Sequence, residues 1–152
     1  MQIVALLVAA CSSLAAPVEN KGRAQAEMKR FQGRWVAIYV EIEGKPIPPE
    51  GLEDLKELDI LVEGDKVILK EDGMVKESWK VRFSIDPIKA PRTIDLSISV
   101  EESRPETLLG IYKFDGDVLK ICILPPSKEP ERPTKFRTSP GSRALLWHFQ
   151  RK

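Results

Sequence analysis

Apolar residues fall on every second position through much of this chain, the pattern of strands with one face turned inward. In the run 79–85, Trp79, Val81, Phe83 and Ile85 alternate with Lys80, Arg82 and Ser84, which predicts a half-solvated antiparallel strand. The run 93–100 repeats it, with Ile94, Leu96, Ile98 and Val100 inward and Asp95, Ser97 and Ser99 outward. In 35–42 both faces are rich in apolar residues, Val36, Ile38, Val40 and Ile42 on one and Trp35, Ala37 and Tyr39 with Glu41 on the other. That strand has little free surface. Shorter runs at 59–63 and 66–70 are hinged at Gly64-Asp65, and a turn at 71–73 returns the chain along 75–85. Helical character shows in two places. Helix formers fill 23–30, and Leu52, Leu55 and Leu58 recur at helical spacing in 48–58, predicting a short cap helix that needs docking to persist.

The stretch 108–124 is the strongest local signal. Two β-rich runs meet at Asp115-Gly116, a pair suited to a type I′ hairpin turn. That turn sets Phe114 opposite Asp117, Tyr112 opposite Leu119, Gly110 opposite Ile121 and Leu109 opposite Cys122. Both faces are largely apolar, so the hairpin belongs in the middle of a sheet covered on each side. Further on, 134–138 reads as a short strand. A turn at 140–142 leads into a last strand over 143–151, with Leu145, Trp147 and Phe149 on one face. Eight or nine short antiparallel segments make a meander, either a sandwich or a closed up-and-down barrel. Closure removes exposed edges, and the strongly apolar first and last strands are suited to pair.

The 152 residues suit one domain with a real core, and nine of the twelve prolines gather near 46–49, 87–91 and 125–133, marking connections. A net charge of +1 with both signs interleaved offers no basic stripe for nucleic acid. Residues 3–10 are an apolar run followed by small residues, which predicts a signal peptide over 1–15 ahead of a barrel domain over 24–152. Val8-Ala9-Ala10-Cys11 resembles a lipobox, so lipidation of Cys11, with attachment to a membrane, stands beside simple secretion. Either route gives an exported protein: periplasmic, held at the envelope, or secreted.

Chemistry is sparse. The single histidine, His148, lies in a strand between aromatic residues, and Cys122 sits among Ile121, Ile123 and Leu124. That set supplies no zinc site and no activated thiol. Asp115-Gly116-Asp117 lacks EF-hand spacing and fits a turn. No phosphate loop or nucleophile elbow occurs, so neither a cofactor nor enzymatic activity is expected. Asp95, Arg132 and Arg151 are charged groups near barrel walls or ends. An Asp–Arg pair there either braces the barrel or anchors a ligand acid, and bracing is the commoner use. Tyr39, Trp79, Phe83 and Tyr112 are the aromatic residues expected to line a ligand cavity, with plain core as the alternative.

Gly33-Arg34-Trp35 after a short helix, about eight strands and a terminal Arg151 resemble lipocalin-like barrels. In that likeness Gly33 and Trp35 close one end, with Arg151 packed across the indole. The chain also resembles a family of uncharacterised bacterial domains abundant in planctomycetes. That resemblance rests on Phe31-Gln32-Gly33-Arg34-Trp35, Glu43-Gly44-Lys45-Pro46-Ile47-Pro48, Asp86-Pro87, the run 90–95, Leu109-Gly110-Ile111-Tyr112, the run 115–122 and Arg132-Pro133-Thr134-Lys135-Phe136. It implies a mainly β, antiparallel lipocalin-like barrel of about eight strands with one or two short helices, usually exported or attached to other modules, with no catalytic residue to carry over. The leading expectation is a binding module for a small apolar or amphipathic ligand. A structural or protein-interaction domain of the envelope with a filled barrel is second, and a hydrolase or isomerase last.

Overall fold

The computed structural model describes residues 16–152. In chain order these form α1 (Ala16–Phe31), β1 (Gly33–Ile42), β2 (Lys45–Pro46), α2 (Pro49–Lys56), β3 (Asp59–Glu63), β4 (Lys66–Glu71), β5 (Met74–Val75), β6 (Trp79–Asp86), β7 (Thr93–Val100), β8 (Glu106–Asp115), β9 (Val118–Leu124) and β10 (Leu145–Arg151). Eight strands make a closed ring in the order β1, β3, β4, β6, β7, β8, β9, β10 and back to β1, while the two-residue β2 and β5 hang on β1 and β4. Every pairing is antiparallel, and the ring shuts with Trp35 opposite Arg151 and Ile42 opposite Leu145. The fold is therefore an up-and-down, lipocalin-like barrel with two helices. The signal segment over 1–15 and its Cys11 lie outside the described residues.

Alternation along each strand sends one set of side chains into the ring. Inside lie Phe31, Trp35, Phe83, Ile94, Tyr112 and Leu119 with their neighbours. A second apolar cluster, Ile111, Cys122, Ala144 and Leu146 with Tyr39 and Phe136 packed on it, lies on the opposite face of β8, β9 and β10. The irregular segment 125–144 contributes to it and covers the wall from outside. This is why the 108–124 hairpin is apolar on both faces.

Four local expectations are corrected. The hairpin pairs Asp115 with Val118, Phe114 with Leu119, Tyr112 with Ile121 and Ile111 with Cys122, a register shifted by two residues from the expected one. Gly116 carries the positive φ, +58°, while Asp117 does not. The tight turn thus centres on Gly116-Asp117, with glycine in the first position as a type II′ turn prefers. A shift of two keeps every side chain on its expected face.

In β1 the strict alternation fails, because a bulge between Ala37 and Tyr39 adds a residue at Ile38. Ala37 and Val40 are both buried as a result, and Tyr39 and Glu41 turn outward. The predicted strand 134–138 is irregular instead. Glu41 holds it by accepting from the Thr138 backbone N–H at 2.9 Å and from its hydroxyl at 2.8 Å. Those donors go to a side chain and not to a ladder. The predicted run 75–85 is broken, with β5 pairing only to the end of β4 before β6 begins.

Candidate functional site

One end of the barrel is closed by α1. Its last residue, Phe31, is buried and meets Phe83, Tyr112 and Phe114 at centroid distances of 5.1, 5.0 and 5.1 Å. A helix ends with carbonyls that lack intrahelical partners, and here three consecutive ones are taken by side chains. Arg151 Nη2 donates to the Arg30 carbonyl at 2.7 Å, Trp35 Nε1 to Phe31 at 2.7 Å, and Arg151 Nη1 to Gln32. The guanidinium also lies over the Trp35 ring, 4.4 Å from its centroid. Gly33 adopts φ +107°, and a Cβ there would stand 3.0 Å from Arg151 Nη1. Gly33, Trp35 and Arg151 thus come together, and what they do physically is cap the helix that plugs the ring.

Glu27, which the sequence reading did not single out, secures the same plug. Its carboxylate accepts from Arg92 Nη1 at 2.7 Å, tying α1 to the β6–β7 connection, and lies 3.4 Å from Arg30 Nη1. It sits one helical turn before Phe31, on the face that docks. That spacing is the signal that could have found it. Burial, and then the Glu27 charge, push the nearby Tyr112 hydroxyl well above its ordinary range.

Beyond the plug is a cavity of about 440 Å³, and all twenty residues that line it are apolar. Trp79 and Phe83 are in its wall, together with Trp35, Trp147 and Phe149. Trp147 and Phe149 lie nearly parallel with centroids 5.6 Å apart. Trp79 is 44% exposed, so the cavity reaches solvent beside it, at the end opposite α1.

The other two aromatic residues sit elsewhere. Tyr112 is buried under Phe31 in the plugged end and is not in the cavity wall. Tyr39 is placed outside the ring by the bulge. It stacks on His148 at 4.7 Å and donates its hydroxyl to Glu41 at 2.6 Å. That bond is the main cause holding the Glu41 carboxyl below its usual value.

The charged positions brace the wall. Arg132 Nη2 is 2.7 Å from Asp95 Oδ1, an ion-pair contact without the alignment of a hydrogen bond. Its Nη1 donates to the Ile94 and Gly110 carbonyls at 3.2 and 2.7 Å, so Arg132 clips β7 to β8 and faces no lumen. Cys122 is fully buried, and burial pushes its thiol up. Burial likewise pulls the His148 imidazole down.

Segment 125–144 frames another hollow of about 510 Å³. Glu131, Lys135 and Arg137 on its rim are exposed, which makes it an open surface, unlike the lined barrel. Among the described residues no three His, Cys, Asp or Glu side chains gather as a metal site would require, and no helix is long and apolar enough to cross a membrane. No protein-family model, curated protein or solved structure matches the chain.

Proposed function

We propose that this chain is a non-catalytic binding module whose barrel takes one small apolar or amphipathic molecule. The observation that carries this is the 440 Å³ lumen, walled only by apolar side chains, plugged at one end and reaching solvent at the other. Its size falls in the range of small-molecule sites. A wall without titratable groups suits holding a ligand and offers nothing to move a proton. A barrel serving purely as a structural brace would have no need of that unfilled volume. The signal-like residues 1–15 and the resemblance to exported planctomycete-type domains support placing the module outside the cytoplasm.

The test is titration with N-phenyl-1-naphthylamine, a neutral fluorophore that brightens in apolar surroundings. One equivalent should bind. Leu96, in the middle of the wall opposite Phe83 and Leu108, is the residue to enlarge. Leu96→Trp should abolish binding while leaving the protein folded. Absence of binding to the native protein, or unchanged binding to the folded variant, refutes the proposal.

A further inference from the structure

The ring is not equally closed all the way round. Strands β6 and β7 share eight paired positions and β8 and β9 seven, whereas β4 and β6 share two, Lys66 with Arg82 and Val67 with Val81. Above Val67 the edge of β4 is occupied from outside the ring. Lys70 and Glu71 pair with β5, and Lys76 N–H donates to the Leu69 carbonyl at 2.8 Å. The chain then crosses to Trp79, leaving a window of about 250 Å³ between β4 and β6. Val67, Leu69, Trp79 and Val81 border both this window and the lumen, so a single layer of side chains stands between the two.

The margin of the window is basic. Lys66, Lys76, Lys80 and Arg82 border it, with Glu77 the single acid. Lys76 pairs with Glu71, and Arg82 with Asp65 at 3.1 Å. Lys66 and Lys80 have no carboxylate partner among the described residues. Lys66 stands between Arg82 on one side and Glu63 on the other, while Lys80 lies opposite Ser99. An anion resting there would meet the ammonium groups of Lys66 and Lys80, and an apolar tail attached to it would reach the lumen by parting Val67 and Trp79.

We infer that the β4–β6 window is a ligand site in its own right, and that the ligand is a single-chain anionic amphiphile. Its tail occupies the lumen and its acid head rests on Lys66 and Lys80. This rests on the lumen being a binding site, and adds where the ligand enters and what charge it carries. A carboxylate drawn wholly inside would lose its hydration with no partner, a cost of several kcal/mol. At the window it keeps both water and cations.

The experiment displaces bound N-phenyl-1-naphthylamine with dodecanoate and with dodecanol, using the native chain and Lys66→Gln/Lys80→Gln. Both lysines are outward-facing, so the variant folds, which its thermal unfolding verifies. Native protein should prefer dodecanoate by about tenfold, as two exposed charge contacts allow. The variant should lose most of that preference and bind dodecanol unchanged. Equal binding of acid and alcohol by native protein, displacement by neither, or a preference that survives in the variant overturns the inference while the lumen reading stands. Failure of the fluorophore to bind at all overturns both.

Discussion

Arg151 offers the sharpest quantitative test, because one side chain joins the last strand, the first strand and the plugging helix. In Arg151→Ala the carbonyls of Arg30 and Gln32 lose their donors and the Trp35 ring loses the cation above it. Two hydrogen bonds at about 1 kcal/mol each and an exposed cation–π contact at about 0.5–1 kcal/mol sum to about 2–3 kcal/mol. Arg151 is exposed, so water takes up part of the loss and about 2 kcal/mol is expected. For a domain of this size that lowers Tm by about 4–8 °C. Lysine has no planar fork with which to reach both carbonyls while stacking, so Arg151→Lys should recover less than half. The assay is urea unfolding followed by Trp fluorescence, joined to amide exchange. The loss should appear first as faster exchange in the last turn of α1, where the carbonyls are released, and not in β8 or β9. An Arg151→Ala protein as stable as the native one, or full recovery by lysine, refutes the capping argument.

Other consequences can be measured in the same way. Gly110→Ala would place a Cβ 2.7 Å from Ile123 Cγ2 and 2.8 Å from the Cys122 carbonyl; a net loss of about 1–2 kcal/mol is expected in urea unfolding, and adding Ile123→Ala should return part of it. Glu41 has a depressed folded value relative to its ordinary 4.5, so its contribution is present above that value and fades as pH falls through the lower folded one. Glu41→Gln should therefore flatten the acid limb of Tm against pH and loosen 125–144 near neutrality. Cys122, fully buried with its thiol pushed up, should react with a disulfide reagent only after unfolding; rapid labelling of native protein would contradict its placement.

Much of this architecture could be read from alternation alone. The runs at 79–85 and 93–100 face as their patterns say, since each has a clean polar side and slipping by one residue would bury charge. Closure was legible because both outer strands lacked a solvent face. What escaped the pattern was decided by partners distant in sequence. Nothing local to Ile38 announces a bulge; it exists because Glu41, once turned outward, meets Thr138 across the fold. The same bulge carries Tyr39 away from the cavity, and Tyr112, although inward, lies beneath Phe31, whose depth no local pattern specifies. The hairpin slipped by two because Asp-Gly and Gly-Asp overlap in one tripeptide, and only the backbone angles choose between them. The window was invisible for another reason: β5 and β6 read as a single strand, and their separation is a matter of which edge each one binds.

The covering of the barrel by 125–144 has a mechanical consequence. Strands β8, β9 and β10 are clamped between an inner and an outer apolar layer, whereas β4 and β6 carry an apolar layer on the inside alone. A ring so built is stiff along one arc and thin along the other, and thermal opening concentrates where the least packing must be undone. The molecule should flex like a hinge-backed clasp, its thick arc serving as the fixed jaw while the thin arc does the moving.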